Sequence, residues 1–218
     1  MGNFRPRFLA SFTPGVRILV CLLTAAYLAD VLGKSIGAYA LADWLALSGP
    51  EFWSGQFWRL VTYALLPAGI MDFAMNIIAL VMLGGMIERI WSRGELWRYC
   101  IVAAAGAGVA KVLLQSSVPL ALTGAAPMIF GLLIAWGFLC GYERISIVVF
   151  GETTVWKLVL IASSISLTVM FLTSGSATAM ILAAGGGAGF LYLWLQRKRL
   201  MSRPGCVAHS DRISRLEL

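Results

Sequence analysis

Two polar residues inside an apolar stretch, Asp72 and Asn76, are the first candidates for chemistry in this chain. They are four residues apart, so on a helix they share one face. Polar side chains in a membrane helix usually face the bundle interior, and an ionisable one indicates a functional site. Both also fit structural roles, because a carboxylate favours a helix N-terminus and an amide can bond to a neighbouring helix.

Acid–base, metal and redox chemistry have little support elsewhere in the sequence. The only histidine, His209, lies in a polar tail, so no apolar segment carries a histidine base or metal ligand. The cysteines at positions 21, 100, 140 and 206 show no CxxC or metal spacing, and we expect them to be small buried side chains. The sequence therefore predicts no metal and no cofactor.

A serine–lysine pair is the remaining route to a nucleophile. Lys111 lies near the outer end of an apolar run, and a buried lysine can lose its proton. Hydroxyl side chains expected near that side are Ser116, Ser117, Thr123, Ser174 and Ser176. Nothing in their spacing requires such a pair, and we expect Lys111 to anchor its helix by snorkelling to the membrane interface.

The elements that must position these residues are membrane helices. The chain has 218 residues, of which 60% are hydrophobic and only 12% charged, unlike a soluble domain. Several apolar runs approach the roughly 20 residues that a helix needs to cross a bilayer. The expected fold is an all-α integral membrane bundle of six transmembrane helices, at residues 15–33, 70–90, 96–115, 124–142, 153–172 and 176–196.

The charge pattern predicts the orientation of this bundle. Lysine and arginine concentrate at both ends of the chain and at the joints after the second and fourth segments. The positive-inside rule then places both termini in the cytoplasm, and we expect the membrane to be a bacterial inner membrane. The expected organisation is a cytoplasmic segment 1–14, a membrane domain 15–196 and a basic cytoplasmic tail 197–218. Lipids are expected partners, and nucleic acid is not.

The connection between the first two segments, residues 34–69, is rich in aromatic side chains and poor in charge. Such rings favour the headgroup level of a membrane. We therefore expect a semi-embedded loop of short helices lying along the outer leaflet. Its aromatic residues are Tyr39, Trp44, Phe52, Trp53, Phe57, Trp58 and Tyr63.

An ordered set of motifs resembles the rhomboid family of intramembrane serine proteases over residues 15–196. The loop carries a Trp-Arg pair, and Asp72-Phe-Ala-Met-Asn76 resembles the family's His-x-x-x-Asn with the histidine replaced. Three glycine motifs, at 84–88, 124–131 and 185–189, are similar to the family's Gly-x-x-x-Glu, Gly-x-Ser-Gly and closing Gly-x-x-x-Gly. The resemblance implies structural roles for Trp58, Arg59, Glu88, Gly124, Gly131, Gly185 and Gly189, with the last two bringing helix six close to helix four.

The catalytic positions depart from that pattern. By the resemblance, the nucleophilic serine is replaced by Ala126 and the histidine base by Leu182. A methyl group cannot be a nucleophile, and an isobutyl group cannot be a base. Pro127 also deletes a backbone N–H beside the oxyanion site, where Asp72 replaces an assisting histidine. The resemblance therefore implies no enzyme activity and a drier pocket lined by Ala126, Phe130 and Leu182.

The leading hypothesis is a catalytically inactive rhomboid-like protein, a pseudoprotease. By resemblance to inactive rhomboid relatives, it would bind transmembrane helices of client proteins. Its partner-binding pocket would be lined by Asp72, Asn76, Ala126, Phe130 and Leu182. One alternative is a structural or assembly subunit of a larger membrane protein complex. A second alternative is a rhomboid-type protease with a non-standard dyad.

Overall fold

The computed structural model describes residues 13–36, 41–114, 121–141, 144–147 and 151–201. Several expectations lie outside these residues, among them the N-terminal segment before Thr13 and the basic tail after Met201. The others concern Tyr39, Ser116, Ser117, Cys206 and His209.

The apolar segments are helical, and their bounds lie close to those expected. The first is α1 (Pro14–Ser35), and the second consists of α5 (Ile70–Ala79), a π-helical turn (Leu80–Gly84) and α6 (Gly85–Ile90). The remaining four are α7 (Arg93–Leu113), α8 (Ala126–Cys140), α9 (Val155–Ser174) and α10 (Ser176–Met201). The predicted all-α membrane bundle is confirmed.

Five of these helical segments are long and apolar enough to cross a membrane, and α8 is shorter. Its 15 residues extend about 22 Å at 1.5 Å per residue, less than the roughly 30 Å of a hydrocarbon core. Irregular backbone at membrane depth is tolerated where protein surrounds it. The core cluster includes Met128, Leu132 and Ala135 of α8, together with residues of α1, α5–α7, α9 and α10. The short helix therefore lies inside the bundle.

Small residues set the close packing of α10. A Cβ added to Gly186 would lie 2.7 Å from Phe130 Cδ1, and one added to Gly185 would lie 3.0 Å from Pro127 Cβ. These approaches bring α10 against α8, as expected. Gly189 was expected to bring α10 close to α8, but it packs against α7. The absence of a Cβ there leaves room for the Tyr99 hydroxyl. The closing glycine pair therefore fits α10 to two helices and not to α8 alone.

The end of the bundle where α1 begins is held by Glu88, which is buried on α6. Its carboxylate accepts hydrogen bonds from the backbone N–H groups of Gly15 (2.7 Å) and Val16 (2.9 Å), and from the Thr13 hydroxyl. The first N–H groups of a helix have no partner within the helix, and an anion there is favourable. Glu88 thus joins the second segment to the start of α1.

The opposite end carries the aromatic loop, which consists of short turns. These are α2 (Ala42–Leu45), α3 (Gly49–Trp53), α4 (Arg59–Thr62) and a 3-10 turn (Tyr63–Leu65). Arg59 is buried and donates to Gln56 Oε1 (2.7 Å), Ala46 O (2.7 Å) and Asp43 O (2.5 Å). Trp58 beside it is about half exposed, and its Nε1 donates to Trp44 O at 3.4 Å.

Tyr63 fixes this loop to α7. Its hydroxyl donates to Ala104 O at 2.9 Å, and burial raises the pKa of the Tyr63 phenol. Its carbonyl accepts from Gly124 N at 3.1 Å, just before α8. A Cβ on Gly108 would lie 2.8 Å from Leu60 O, so glycine is required for this approach. The loop therefore positions the start of α8.

Two expectations about local structure are wrong, and one joint has a structure that was not expected. Lys111 does not snorkel but is 1% exposed, because the loop covers this end of α7. Cys21 is exposed on α1, whereas Cys100 and Cys140 are buried as expected. The charged joint after α8 contains an antiparallel hairpin of β1 (Arg144–Ile147) and β2 (Gly151–Thr154), with Arg144 opposite Thr154 and Ile147 opposite Gly151.

Candidate functional site

A cavity of about 330 Å³ lies between α5, α8, α9 and α10. The five residues expected to form a pocket, Asp72, Asn76, Ala126, Phe130 and Leu182, all line it. The fold therefore brings together positions that are up to 110 residues apart in the sequence. The other lining residues are Met75, Ala79, Leu83, Ile129, Leu133, Ser166 and Met170.

The walls of the cavity are mostly apolar. Nine of the twelve lining residues are alanine, leucine, isoleucine, methionine or phenylalanine. Of the three polar ones, Ser166 already donates its hydroxyl hydrogen to Ala162 O at 2.8 Å on its own helix. This leaves Asp72 and Asn76, one turn apart on α5, as the polar groups available to a ligand.

Asp72 lies in the first turn of α5, at the end of the cavity nearest the loop. Its Oδ2 atom accepts a hydrogen bond from the backbone N–H of Ala68 at 3.0 Å, which satisfies a donor just before the helix. Gly124 adjoins it with a φ of +99°, and a Cβ there would lie 3.4 Å from Asp72 Oδ2. Asp72 therefore has the helix-start role that the sequence allowed, while it also lines the cavity.

Asn76 lies one turn deeper and is only 4% exposed. Its Nδ2 atom has no hydrogen-bond acceptor among the residues that the structure describes. A buried donor without a partner costs about 1–3 kcal/mol, so such groups are rare and require an explanation. The sequence also allowed Asn76 to form a hydrogen bond between helices, but its Nδ2 atom forms none with the described residues.

An alanine and a proline form the start of α8 at the cavity. Ala126 is the first residue of the helix and is exposed to the cavity, and Pro127 follows it without an N–H to donate. Leu182 reaches the same space from α10 and is buried. Within the described lining, Ser166 supplies the one hydroxyl, and no lysine, cysteine or histidine is present.

The candidate serine–lysine pair is not assembled at this cavity. Lys111 is buried on α7 and is not a lining residue of the cavity. Thr123, Ser174 and Ser176 are not lining residues either.

Helical spacing contained a signal for several lining residues that sequence reasoning missed. Met75, Ala79 and Leu83 follow Asp72 at intervals of three, seven and eleven, which keeps them on its face. Ile129 and Leu133 follow Ala126 in the same way. Ser166 and Met170 on α9 had no such signal, because no residue on that helix had been placed at the site.

A π-helical turn interrupts the helix that forms one wall. It spans Leu80–Gly84, and the lining residues Ala79 and Leu83 lie immediately before it and near its end. Turns of this kind insert an extra residue into a helix and often occur at functional sites. Gly84 at its end packs against Val16, where a Cβ would lie 3.0 Å from Val16 Cγ2. The turn thus lets Gly84 pack against α1 while Ala79 and Leu83 face the cavity.

The remaining motif residues surround the cavity without lining it. Gly131 on α8 packs against α7, where its carbonyl accepts a 2.6 Å hydrogen bond from the Tyr99 hydroxyl. Trp58 and Arg59 lie in the loop, and Glu88 lies at the opposite end of the bundle. These positions hold the helices and the loop that form the cavity.

Fold and cavity together define a polytopic helical membrane protein with an apolar site inside the bundle. A family model described as the rhomboid domain matches residues 54–199. The chain belongs to the rhomboid family. No curated protein matches the chain. The matched region contains all twelve lining residues, so the cavity is part of the rhomboid domain.

Proposed function

We propose that this rhomboid-like membrane protein is catalytically inactive and binds transmembrane helices of client proteins at its cavity. The proposal rests on Ala126 and Leu182, which by the resemblance stand at the positions of the family's nucleophile and base. Both line one apolar cavity. A methyl and an isobutyl group cannot transfer a proton or attack a carbonyl, but they can contact a hydrophobic side chain.

The size of the cavity supports insertion of side chains, not of a whole helix. A space of about 330 Å³ is at the lower limit of ordinary ligand pockets, and a helix is about 10 Å wide. A client helix would therefore lie against α5 and α9 from the lipid side and place one or two side chains inside. Burial of those side chains contributes little net free energy in lipid, so close packing has to supply the affinity.

The outer face of α5 supports recognition of varied client sequences. Met71, Met75 and Met82 are exposed on this helical segment, and Met170 lines the cavity from α9. Methionine side chains are flexible and polarisable, and they are overrepresented on surfaces that accept several partners. In a bilayer these side chains face lipid until a partner displaces it.

Site-specific photocrosslinking tests this proposal. A photoreactive phenylalanine derivative replaces Met75 at the cavity in one variant, and Val109, exposed on α7, in the control variant. We expect single-pass membrane proteins to crosslink at position 75 and not at position 109. We also expect Leu182→Trp, which fills the cavity, to abolish these crosslinks, while Leu191→Trp on the exposed face of α10 preserves them. Equal crosslinking at both positions, or none at position 75, contradicts the proposal.

The same experiment tests the two alternatives. A fixed subunit of a complex would yield one crosslinked partner in constant stoichiometry after gentle detergent extraction, whereas clients would be several and substoichiometric. A protease with a non-standard dyad would react with a serine-directed phosphonate. Ser166 is the hydroxyl in the described lining, so labelling that is lost in Ser166→Ala would overturn the inactive assignment.

We also infer that both termini lie in the cytoplasm. The support is the excess of lysine and arginine at both chain ends and at the joints between the second and third and the fourth and fifth segments. Reporter fusions at each terminus test this orientation, since an alkaline phosphatase fusion is active only outside the cytoplasm. Phosphatase activity at either terminus would contradict it.

A further inference from the structure

We propose that the cavity selects client helices that carry a lysine near one end, with the ammonium group paired to Asp72. This inference rests on the proposed client-binding function and names the chemistry that it selects. Three features of the site support it. Asp72 and Asn76 on α5 have polar groups that are not fully paired, the space beside them is apolar, and Asp72 already accepts one hydrogen bond.

Asp72 is a carboxylate on the cavity wall, and no described residue forms an ion pair with it. Its one hydrogen bond joins Oδ2 to Ala68 N, and neither ion pair found among the described residues includes it. The described lining contains no basic side chain. A carboxylate at the start of a membrane helix is more stable when it is paired, and a basic group on a client helix would provide that pairing.

Asn76 provides a second unmet group one turn deeper. Its buried Nδ2 has no acceptor among the described residues, and its amide can rotate to present either a donor or an acceptor. A ligand that donates to Asp72 and also offers a carbonyl oxygen satisfies both residues. The end of a client helix has both, since its last carbonyl groups lack partners within the helix.

The apolar lining suits the rest of a lysine side chain. The four methylene groups of lysine are hydrophobic, and a lysine places this stem on apolar surface while its ammonium group stays at a polar boundary. Met75, Ala126, Phe130 and Leu182 line the same cavity as Asp72. The cavity thus matches an apolar stem that ends in a positive charge.

The hydrogen bond to Ala68 favours lysine over arginine. The hydrogen bond from Ala68 N fixes the orientation of the Asp72 carboxylate, so a planar guanidinium group can form its two parallel hydrogen bonds only in that one plane. The ammonium group of lysine acts as a point charge and needs a single oxygen. We therefore expect client helices with lysine at this depth to bind more tightly than those with arginine.

Binding of designed transmembrane peptides to the full-length chain in phosphatidylcholine vesicles tests the inference. The probes are leucine–alanine helices that differ in one residue of the last turn, namely lysine, arginine, glutamate or norleucine. We expect the lysine peptide to bind about five- to tenfold more tightly than the norleucine peptide, equivalent to about 1–1.4 kcal/mol. Energy transfer between labelled protein and peptide measures the dissociation constant as a mole fraction.

Three variants identify the carboxylate responsible. Asp72→Asn retains an acceptor for Ala68 N but removes the charge, so we expect the lysine preference to disappear. Asp72→Lys should transfer the preference to the glutamate peptide. Asp43→Asn makes the same chemical change on an exposed loop residue outside the cavity and should leave the preference intact.

The outcomes separate this inference from the proposed function. Equal binding of all four peptides, lost in Leu182→Trp, would overturn the lysine selection while client binding stands. A lysine preference that survives in Asp72→Asn would overturn it as well. Displacement of the lysine peptide by added phosphatidylethanolamine, in wild type but not in Asp72→Asn, would assign the site to an aminolipid and overturn the client inference. Crosslinking at Met75 judges client binding independently of any peptide.

Discussion

The carboxylate of Glu88 occupies the space that a side chain on Gly15 would need. A Cβ at Gly15 would lie 2.7 Å from Glu88 Oε2, while the N–H of the same glycine donates to Oε1 at 2.7 Å. The Gly-x-x-x-Glu motif on the second segment thus has its structural counterpart 73 residues earlier, at the start of α1. Sequence comparison within one helix does not reveal this pairing.

Gly15→Ala is therefore expected to destabilise the protein, because the new methyl group separates the carboxylate from the first turn of α1. Loss of hydrogen bonds to a buried charged group costs about 2–4 kcal/mol. Thermal unfolding in detergent measures this loss. Gly94→Ala is the matched control, since nothing lies within 4 Å of a Cβ there. Equal stability of the two alanine variants would show that the Glu88 contact does not stabilise the bundle.

Arg59→Lys is expected to loosen the loop although the charge is kept. The guanidinium group donates to three different acceptors, Gln56 Oε1, Ala46 O and Asp43 O, and a lysine ammonium cannot reproduce that planar arrangement. We expect a loss of about 1–3 kcal/mol and faster proteolysis within residues 41–62. Arg98→Lys, on a side chain that is 61% exposed and bonded to Glu95, serves as the control and should change little.

The buried phenol of Tyr63 is expected to make the stability of the protein fall at high pH. Burial raises the pKa of its phenol, which must stay neutral to donate to Ala104 O. Below about pH 10, the pKa of a free tyrosine, the folded and unfolded states both carry the neutral phenol and the hydrogen bond contributes fully. At higher pH the unfolded state ionises first, so stability falls by up to about 1.4 kcal/mol per pH unit.

The measurement is the difference between wild type and Tyr63→Phe in unfolding free energy from pH 8 to pH 11. Other tyrosines titrate in both proteins and cancel in that difference. At pH 8 the wild type should be more stable by about 1 kcal/mol, through the hydrogen bond to Ala104. Its advantage should shrink above pH 10. A constant advantage across this range would mean that the phenol is not held neutral by the fold.

Most of the membrane bundle could be predicted from the sequence because each helix is defined locally, by the length of an apolar run and its flanking residues. Local patterns do not report what covers a residue. Lys111 was expected at the interface, but the loop packs over it, and that loop contacts α7 from more than 40 residues away. The pairing of β1 with β2 could not be predicted from the charges of this joint, which indicate only a connection between two membrane segments. The β-branched residues in it favour strands.

The site could be predicted only where a motif assigned a position. Asp72, Asn76, Ala126 and Leu182 came from motif spacing, and the fold assembles them in one cavity. Ser166 and Met170 carry no motif, and their place on the wall depends on how α9 packs against α8 and α10. On α8, Gly137 leaves room for Val159 of α9, where a Cβ would lie 3.0 Å from Val159 Cγ1, and a reading of single segments does not capture such a contact.

The glycines of α10 allow a stringent test of this packing. A Cβ at Gly189 would overlap the Tyr99 hydroxyl, which itself donates to Gly131 O at 2.6 Å, whereas a Cβ at Gly187 would meet nothing within 4 Å. We therefore expect Gly189→Ala to cost about 1–3 kcal/mol through overpacking and Gly187→Ala to be neutral or slightly stabilising. Thermal unfolding in detergent gives both values.

Tyr99→Phe identifies the hydroxyl as the cause. This change alone should cost about 1 kcal/mol, because the hydrogen bond from the Tyr99 hydroxyl to Gly131 O is lost. In the Tyr99→Phe background, Gly189→Ala should become less destabilising, since the atom with which the methyl group collides is gone. The two substitutions are in contact and should therefore be non-additive by more than about 0.5 kcal/mol. Strict additivity in this double-mutant cycle would mean that α10 is held away from α7 by other contacts and that the glycine at 189 is not required for its approach.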